Sequence, residues 1–207
     1  MLNVAATTQT VDPNLASKRR RAIGLTIGSL WLIVAGGGFA AWALIDITTA
    51  PARLALIASA LLLAALGMIG ASTMRAALRL PGKGAPGTAR SRAMRMHFGW
   101  VVAAEFAAIF AANAAVMPRY ELLPSLDVFI VGLHFLPLAH IFHVPRYYAL
   151  GAWFCIIPAA SLLALSPAQR IGSALAWYVL PGLVCGAGAV LTGALGLREV
   201  RRSRQAA

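Results

Sequence analysis

Two ionisable side chains stand out because the sequence around each of them is almost wholly apolar. Glu105 lies within WVVAAEFAAIFAAN, and His134 lies within GLHFLPLAHIFHV. A carboxylate beside an imidazole can pass a proton or bind a small polar solute. Placing an ionisable side chain at bilayer depth costs about 3 kcal/mol on insertion scales, so each is predicted to face protein and to have a partner.

Counting along the chain predicts that these two residues meet. Glu105 lies eight residues after His97, roughly 12 Å along a helix that rises about 1.5 Å per residue. His134 lies eight residues before Phe142, where the next apolar segment ends. If the two segments are antiparallel neighbours, Glu105 and His134 lie at the same depth. We therefore predict an intramembrane polar pair.

A second polar layer is predicted beside the first. Asp127 precedes His134 by seven residues, and Asn113 follows Glu105 by eight, so each shares a helix face with its neighbour. Pro137, three residues after His134, is predicted to kink the helix that carries the pair.

Composition indicates that lipid surrounds most of this chain. Of its 207 residues 60% are hydrophobic and only 12% are charged, and the mean hydropathy is +0.77. A soluble protein of this size needs more polar surface. The net charge of +12 would favour nucleic acid in a soluble protein. Here the basic residues lie between apolar runs and no nucleic-acid motif accompanies them, so we predict a membrane protein without a nucleic-acid partner.

Six apolar segments approach the roughly 20 residues that a spanning helix needs. The predicted fold is all-α, a six-transmembrane-helix bundle forming one membrane domain over residues 18–200. The predicted spans are about 22–45, 54–74, 98–117, 126–142, 147–165 and 171–197. Residues 1–17 are predicted to be a disordered tail and residues 201–207 a basic tail. The first span is too long for a cleaved signal peptide, and Ser166-Pro167 is predicted to begin the sixth helix.

The basic residues predict the orientation. With six crossings and a cytoplasmic N-terminus, 15 of the 18 Lys and Arg residues lie inside, leaving Arg53, Arg119 and Arg170 outside. This asymmetry follows the positive-inside rule and predicts that both termini are cytoplasmic. The Ala/Arg-rich composition suggests a bacterial cytoplasmic (inner) membrane. The basic 75–95 loop is predicted to contact anionic lipid.

Glycines predict where helices approach closely. Gly24 and Gly28 form one G-x-x-x-G motif, and Gly182 and Gly186 form another. Such motifs let membrane helices pack tightly, within one chain or between copies in a homo-oligomer.

No known catalytic motif is present, so no catalytic residue and no enzymatic activity are predicted. A pair such as His97 with His140 would be one way to hold a haem or metal ion. The four histidines, however, fall on only two of the predicted helices, so no cofactor and no metal site are predicted.

The segment Gly132-Leu133-His134-Phe135-Leu136-Pro137-Leu138-Ala139 resembles one found in small bacterial six-helix integral membrane proteins of uncharacterised function. In these proteins a G-L-H-F-x-P-L-A segment marks one helix. The resemblance covers only a short stretch and implies no substrate. It implies that His134 and Pro137 belong to the family's most recognisable segment.

Two functional hypotheses follow. In the first, the protein transports or senses a proton or small solute, with Glu105 as the titrating group and His134 as its partner. In the second, it is a non-transporting structural or assembly membrane protein in which the same pair only fixes helix packing. The first predicts that water reaches Glu105, and the second predicts a dry pair with every hydrogen bond made.

Overall fold

Six long α-helices make up most of the structure, a computed structural model that describes residues 13–45, 47, 49–80 and 89–205. They are α1 (Pro13–Ile45), α2 (Ala50–Leu78), α3 (Ala89–Val116), α4 (Leu123–Phe142), α5 (Pro145–Ala164) and α6 (Ala176–Gln205). A short 3₁₀ helix, Met117–Leu122, joins α3 to α4. Strands β1 (Arg170–Ile171) and β2 (Ala174–Leu175) form an antiparallel hairpin before α6.

Each of the six helices contains a segment long and apolar enough to cross a bilayer. These segments are Ala16–Ile45, Ala50–Leu78, Met96–Val116, Leu123–Phe142, Pro145–Ala164 and Ala176–Ser203. The predicted all-helical architecture with six potential spans is confirmed.

The helices pack in a row of neighbours with an inner group of four. Neighbouring helices contact one another in the order α2, α1, α6, α5, α4 and α3, so α2 and α3 flank the other four. Several large apolar side chains on the two flanking helices are more than two-thirds exposed, among them Leu61, Met68, Trp100 and Phe110. Lipid chains solvate such surfaces, whereas water would not.

Glycines bring α1 and α6 into close antiparallel contact, which we call the glycine seam. A Cβ atom added at Gly186 would lie 2.5 Å from the Gly36 carbonyl oxygen. Gly182 packs against Ala43, and Gly193 packs against the Ser29 carbonyl. Since a Cβ atom essentially never approaches another atom so closely, these positions require glycine.

The glycine seam corrects part of the motif prediction. Gly182 and Gly186 lie in the glycine seam, as a G-x-x-x-G motif predicts. The residues of α1 that they contact, however, include Gly36 and Ala43, and not Gly24 or Gly28. A Cβ at Gly24 would meet no atom within 4 Å among the described residues, and one at Gly28 would meet the Tyr147 hydroxyl. The Gly182–Gly186 face is therefore buried within one chain, and a homo-oligomer would have to use another surface.

A second close contact joins α4 to α5. A Cβ atom at Gly132 would lie 2.8 Å from Cys155 Sγ and 2.9 Å from the Cys155 backbone nitrogen. Phe135 lies beside this contact, with its ring centroid 5.7 Å from that of Phe154 and 5.8 Å from that of Tyr147. The segment that carries His134 is thus fixed against α5 on its other side.

Several helix boundaries differ from the prediction. Helix α1 begins at Pro13, so residues 13–17 are helical, while residues 1–12 lie outside the described part of the chain. Helix α6 continues to Gln205 through the predicted basic tail. Lys and Arg are good helix formers, and cationic side chains are favourable near a helix C-terminus. The predicted 75–95 loop is also shorter, because α2 ends at Leu78 and α3 begins at Ala89, with residues 81–88 outside the description.

The predicted start of the sixth helix is wrong. Helix α6 begins at Ala176, after the hairpin, instead of near residue 171. Gly172 has a φ of +64°, which allows the tight turn between the two strands. Ser166 accepts a bond from the Ala168 backbone N–H at 3.4 Å, so it forms a local turn instead of capping a helix.

An ion-pair network joins three helices at one end of the bundle, which we call the basic end. Arg146 Nη1 donates to Glu199 Oε2 at 2.8 Å, and Arg21 Nη2 lies 3.6 Å from Glu199 Oε1. These contacts place the N-terminal part of α1, the start of α5 and the C-terminal part of α6 together. Glu199 is not among the predicted site residues, although it is the single acidic residue in the basic stretch LREVRRSR.

Candidate functional site

Glu105 on α3 and His134 on α4 lie in direct contact. Glu105 Oε2 is 3.0 Å from His134 Nδ1, and the two side chains are 15% and 9% exposed. The structure thus brings together the two residues that the depth argument pairs. Their contact lies on the boundary between α3 and α4, which we call the polar seam.

Helix α3 presents one narrow stripe to α4. Val101, Glu105, Ile109 and Asn113 follow at four-residue intervals, and all are partly buried, whereas most residues between them are exposed. Val101 packs against the central apolar cluster of the bundle. This spacing directs Glu105 and Asn113 at α4 while the rest of the helix remains on the periphery.

The Glu105–His134 contact is close but is not aligned as a hydrogen bond. Within the described chain, the buried Nδ1 atom of His134 has no hydrogen-bond partner of acceptable geometry. A carboxylate oxygen and an unprotonated imidazole nitrogen are both acceptors. At 3.0 Å they would repel each other unless one of them carried a proton. One of the two facing atoms must therefore carry a proton.

Asn113 and Asp127 form the second layer that the sequence predicts. The Asn113 side chain is a hydrogen-bond partner of the Asp127 carboxyl group. Oδ1 of Asn113 and Oδ1 of Asp127 are nevertheless buried without a hydrogen-bond partner among the residues described. This layer lies seven residues from His134 along α4, roughly 10 Å at about 1.5 Å per residue.

Three of the five buried side-chain atoms that make no hydrogen bond in the described structure lie on this seam. They belong to Asn113, Asp127 and His134, and the other two belong to Arg19 and Arg146. Each such atom typically costs about 1–3 kcal/mol, and native proteins contain few of them. A contact that served only to hold α3 on α4 would leave no such atom without a hydrogen bond. These atoms make the polar seam the candidate functional site of the described chain.

Pro137 and the remaining histidines are exposed, unlike the Glu105–His134 pair. Helix α4 is continuous through Pro137, whose side chain is exposed, although proline removes one backbone hydrogen bond from the helix. His140 and His143 stack edge to face with centroids 6.2 Å apart, and both are exposed, as is His97. Within the described ranges no three His, Cys, Asp or Glu residues cluster in a way that could hold a metal ion.

The chain matches no family model, no curated protein and no solved structure. The resemblance of residues 132–139 to small bacterial membrane proteins stays a prediction. Two residues of that segment contact different helices, since Gly132 packs on α5 whereas His134 contacts α3. Any function assigned to this chain therefore rests on its own side chains.

Proposed function

We propose that the protein moves protons, or a small polar solute together with protons, across a membrane along the polar seam. The observation that carries the proposal is the row of polar groups along α3 and α4, which consists of the Glu105–His134 contact and the Asn113 and Asp127 oxygens that make no hydrogen bond in the described structure. Groups in such a row can bind water or accept a proton in turn. Glu105 is the proposed titrating group, and His134 is the partner that exchanges its proton.

The position of α3 supports this role. Among the helices described, α3 packs mainly on α4 and on the short 3₁₀ helix that follows it. An element with few packed neighbours can move at a low free-energy cost. Small displacements of α3 would open the seam to water at either end without disturbing the inner four helices.

Proton uptake by reconstituted vesicles tests the proposal. The wild-type protein, Glu105→Gln and Glu121→Gln are compared under a potassium-valinomycin potential, with a pH-sensitive dye inside the vesicles. Gln preserves the size of Glu105 but cannot release a proton. Glu121 is also partly buried but lies in the 3₁₀ helix, outside the pair, so its variant is the matched control.

We expect wild type and Glu121→Gln to take up protons faster than empty vesicles, and Glu105→Gln to match empty vesicles. Equal uptake by wild type and Glu105→Gln would contradict the proposal. So would wild-type vesicles that behave like empty ones, which would favour the structural or assembly role.

We further propose that the chain is a multi-pass protein of a bacterial inner membrane with both ends in the cytoplasm. Arg21, Arg146 and Glu199 meet at the basic end, while the hairpin with Arg170 precedes α6 at the opposite end.

Single cysteines at Ser203 and Ser166, in a variant without Cys155 and Cys185, test this orientation. A membrane-impermeant maleimide should label the Ser166 position in intact cells and the Ser203 position only after permeabilisation. The reverse pattern would overturn the orientation.

A further inference from the structure

A cleft of about 360 Å³ lies between α2 and α6 near the basic end. It is separate from the polar seam. Its apolar part is formed by side chains of both helices, and its basic part by the end of α6. The lining residues are Leu66, Ile69, Ala194, Leu197, Arg198, Arg201, Arg202 and Gln205.

The α6 wall of the cleft changes from apolar to basic within one helical turn. Ala194, Arg198, Arg201 and Gln205 follow at intervals of four, three and four residues, so they share one helix face. Leu197 is 2% exposed, whereas the three arginines of the lining are exposed. The cleft is therefore amphipathic along its length.

The arginines of the cleft have no acidic partner in the part of the chain that the structure describes. Glu199, the neighbouring acidic residue, is engaged by Arg21 and Arg146. Further along α2 towards the same end, Arg75 and Arg79 line a second depression with Ser72 and Ala76. This end of the α2–α6 boundary thus carries an uncompensated positive charge next to an apolar groove.

We propose that this cleft binds one anionic phospholipid. Its phosphate would lie on Arg198 and Arg201, whose guanidinium groups match the oxygens of a phosphate. One acyl chain would lie along Leu66, Ile69 and Ala194. The charge selects an anionic headgroup over a zwitterionic one, and the apolar part requires a chain as well as a phosphate.

This site differs from general attraction between a basic loop and a membrane surface. Loop attraction depends on the number of charges and falls off within a Debye length. The affinity for a lipid bound in the α2–α6 cleft depends on which charges are removed and on whether the apolar groove is open. Both can be varied separately.

Native mass spectrometry of delipidated protein tests the charge requirement. Phosphatidylglycerol and phosphatidylcholine with identical acyl chains are titrated against wild type, Arg198→Ala/Arg201→Ala and Lys18→Ala/Arg20→Ala. The last variant removes the same charge from exposed positions of α1 that do not line the cleft. We expect wild type and the α1 variant to retain one phosphatidylglycerol in preference to phosphatidylcholine. The α6 variant should bind phosphatidylglycerol about tenfold more weakly or worse.

A second pair of variants tests the groove without altering charge. Ala194→Phe fills the apolar part of the cleft, while Ala187→Phe adds the same ring to an exposed position on α6. Only Ala194→Phe should lose the phosphatidylglycerol preference. The proposal is overturned if Arg198→Ala/Arg201→Ala and Lys18→Ala/Arg20→Ala weaken phosphatidylglycerol binding equally. It is also overturned if Ala194→Phe binds phosphatidylglycerol as Ala187→Phe does, or if the wild-type protein does not distinguish the two lipids.

Discussion

The glycine seam between α1 and α6 and the polar seam between α3 and α4 join helices in opposite ways. The first is built from small residues whose backbones touch, with Gly36 against Gly186 and Ala43 against Gly182. The second has a carboxylate, an imidazole, an amide and a second carboxylate, with three buried atoms unpaired in the described structure. The glycine seam joins two of the four inner helices, whereas the polar seam attaches a peripheral helix.

We interpret this difference as a division between stability and the proposed function. Between helices in lipid there is no hydrophobic driving force, so close packing contributes much of the association energy. The glycine seam maximises such packing. The polar seam places costly groups where few other contacts hold the helix, as is common for elements that move during function.

The largest effect is expected from Gly186→Ala. The new Cβ would lie 2.5 Å from the Gly36 backbone oxygen, so α1 and α6 must separate. We expect a loss of about 3 kcal/mol in the free energy of unfolding, at the upper end for overpacked contacts. Denaturant unfolding in detergent measures it.

Gly38→Ala is the matched control for that substitution. It lies in the same helix pair, but a Cβ there would meet no described atom within 4 Å. It should be neutral or stabilise by up to about 1 kcal/mol, because Ala is the better helix former. Similar losses for both variants would show that the glycine seam does not hold the bundle together.

A slightly smaller effect is expected from Gly132→Ala, which lies two residues from His134. The added carbon would be 2.8 Å from Cys155 Sγ and 2.9 Å from a backbone nitrogen. The sulfur can turn away but the backbone cannot, so we expect a loss of about 2 kcal/mol. Gly99→Ala, at an exposed position in the N-terminal half of α3, should show no loss in the same unfolding measurement. If Gly132→Ala also showed none, close packing of α4 on α5 would not contribute to stability.

Glu199→Gln should cost less, about 1 kcal/mol. Its carboxylate is 44% exposed and the Arg21 side chain is 78% exposed, so water screens that pair. Arg146, at 25% exposure, would lose its charged acceptor and accounts for most of the expected cost. The difference in melting temperature from wild type should shrink with added salt. A salt-independent difference would show that the network is not electrostatic.

The six helices were predictable because apolar length alone identifies them. The depth of Glu105 and His134 was also predictable, since rise per residue is fixed and both are counted from the same membrane surface. Counting predicted the depth of each residue in the membrane. The cost of exposing an ionisable group to lipid predicted that both side chains face other helices. The structure brings these two side chains together.

Helix partners were harder to predict, as Gly24 and Gly36 show. Faces towards lipid and faces towards protein are both apolar, so hydrophobic periodicity does not tell which glycine meets a neighbour. The predicted start of α6 was wrong for a related reason. Ser166-Pro167 is a sound helix start, yet Gly172 permits a turn that the local pattern does not reveal. Glu199 was overlooked because its partner Arg146 is 53 residues away in the chain.

The smallest effect on stability is expected from Glu105→Gln, and its melting temperature tests the central claim most directly. If the polar seam serves function, removing its charge should leave the melting temperature unchanged or raise it, because functional charges are retained at a cost in stability. A decrease corresponding to about 3–5 kcal/mol, the cost of breaking a buried ion pair, would contradict this account. The Glu105–His134 contact would then serve to hold α3 against α4.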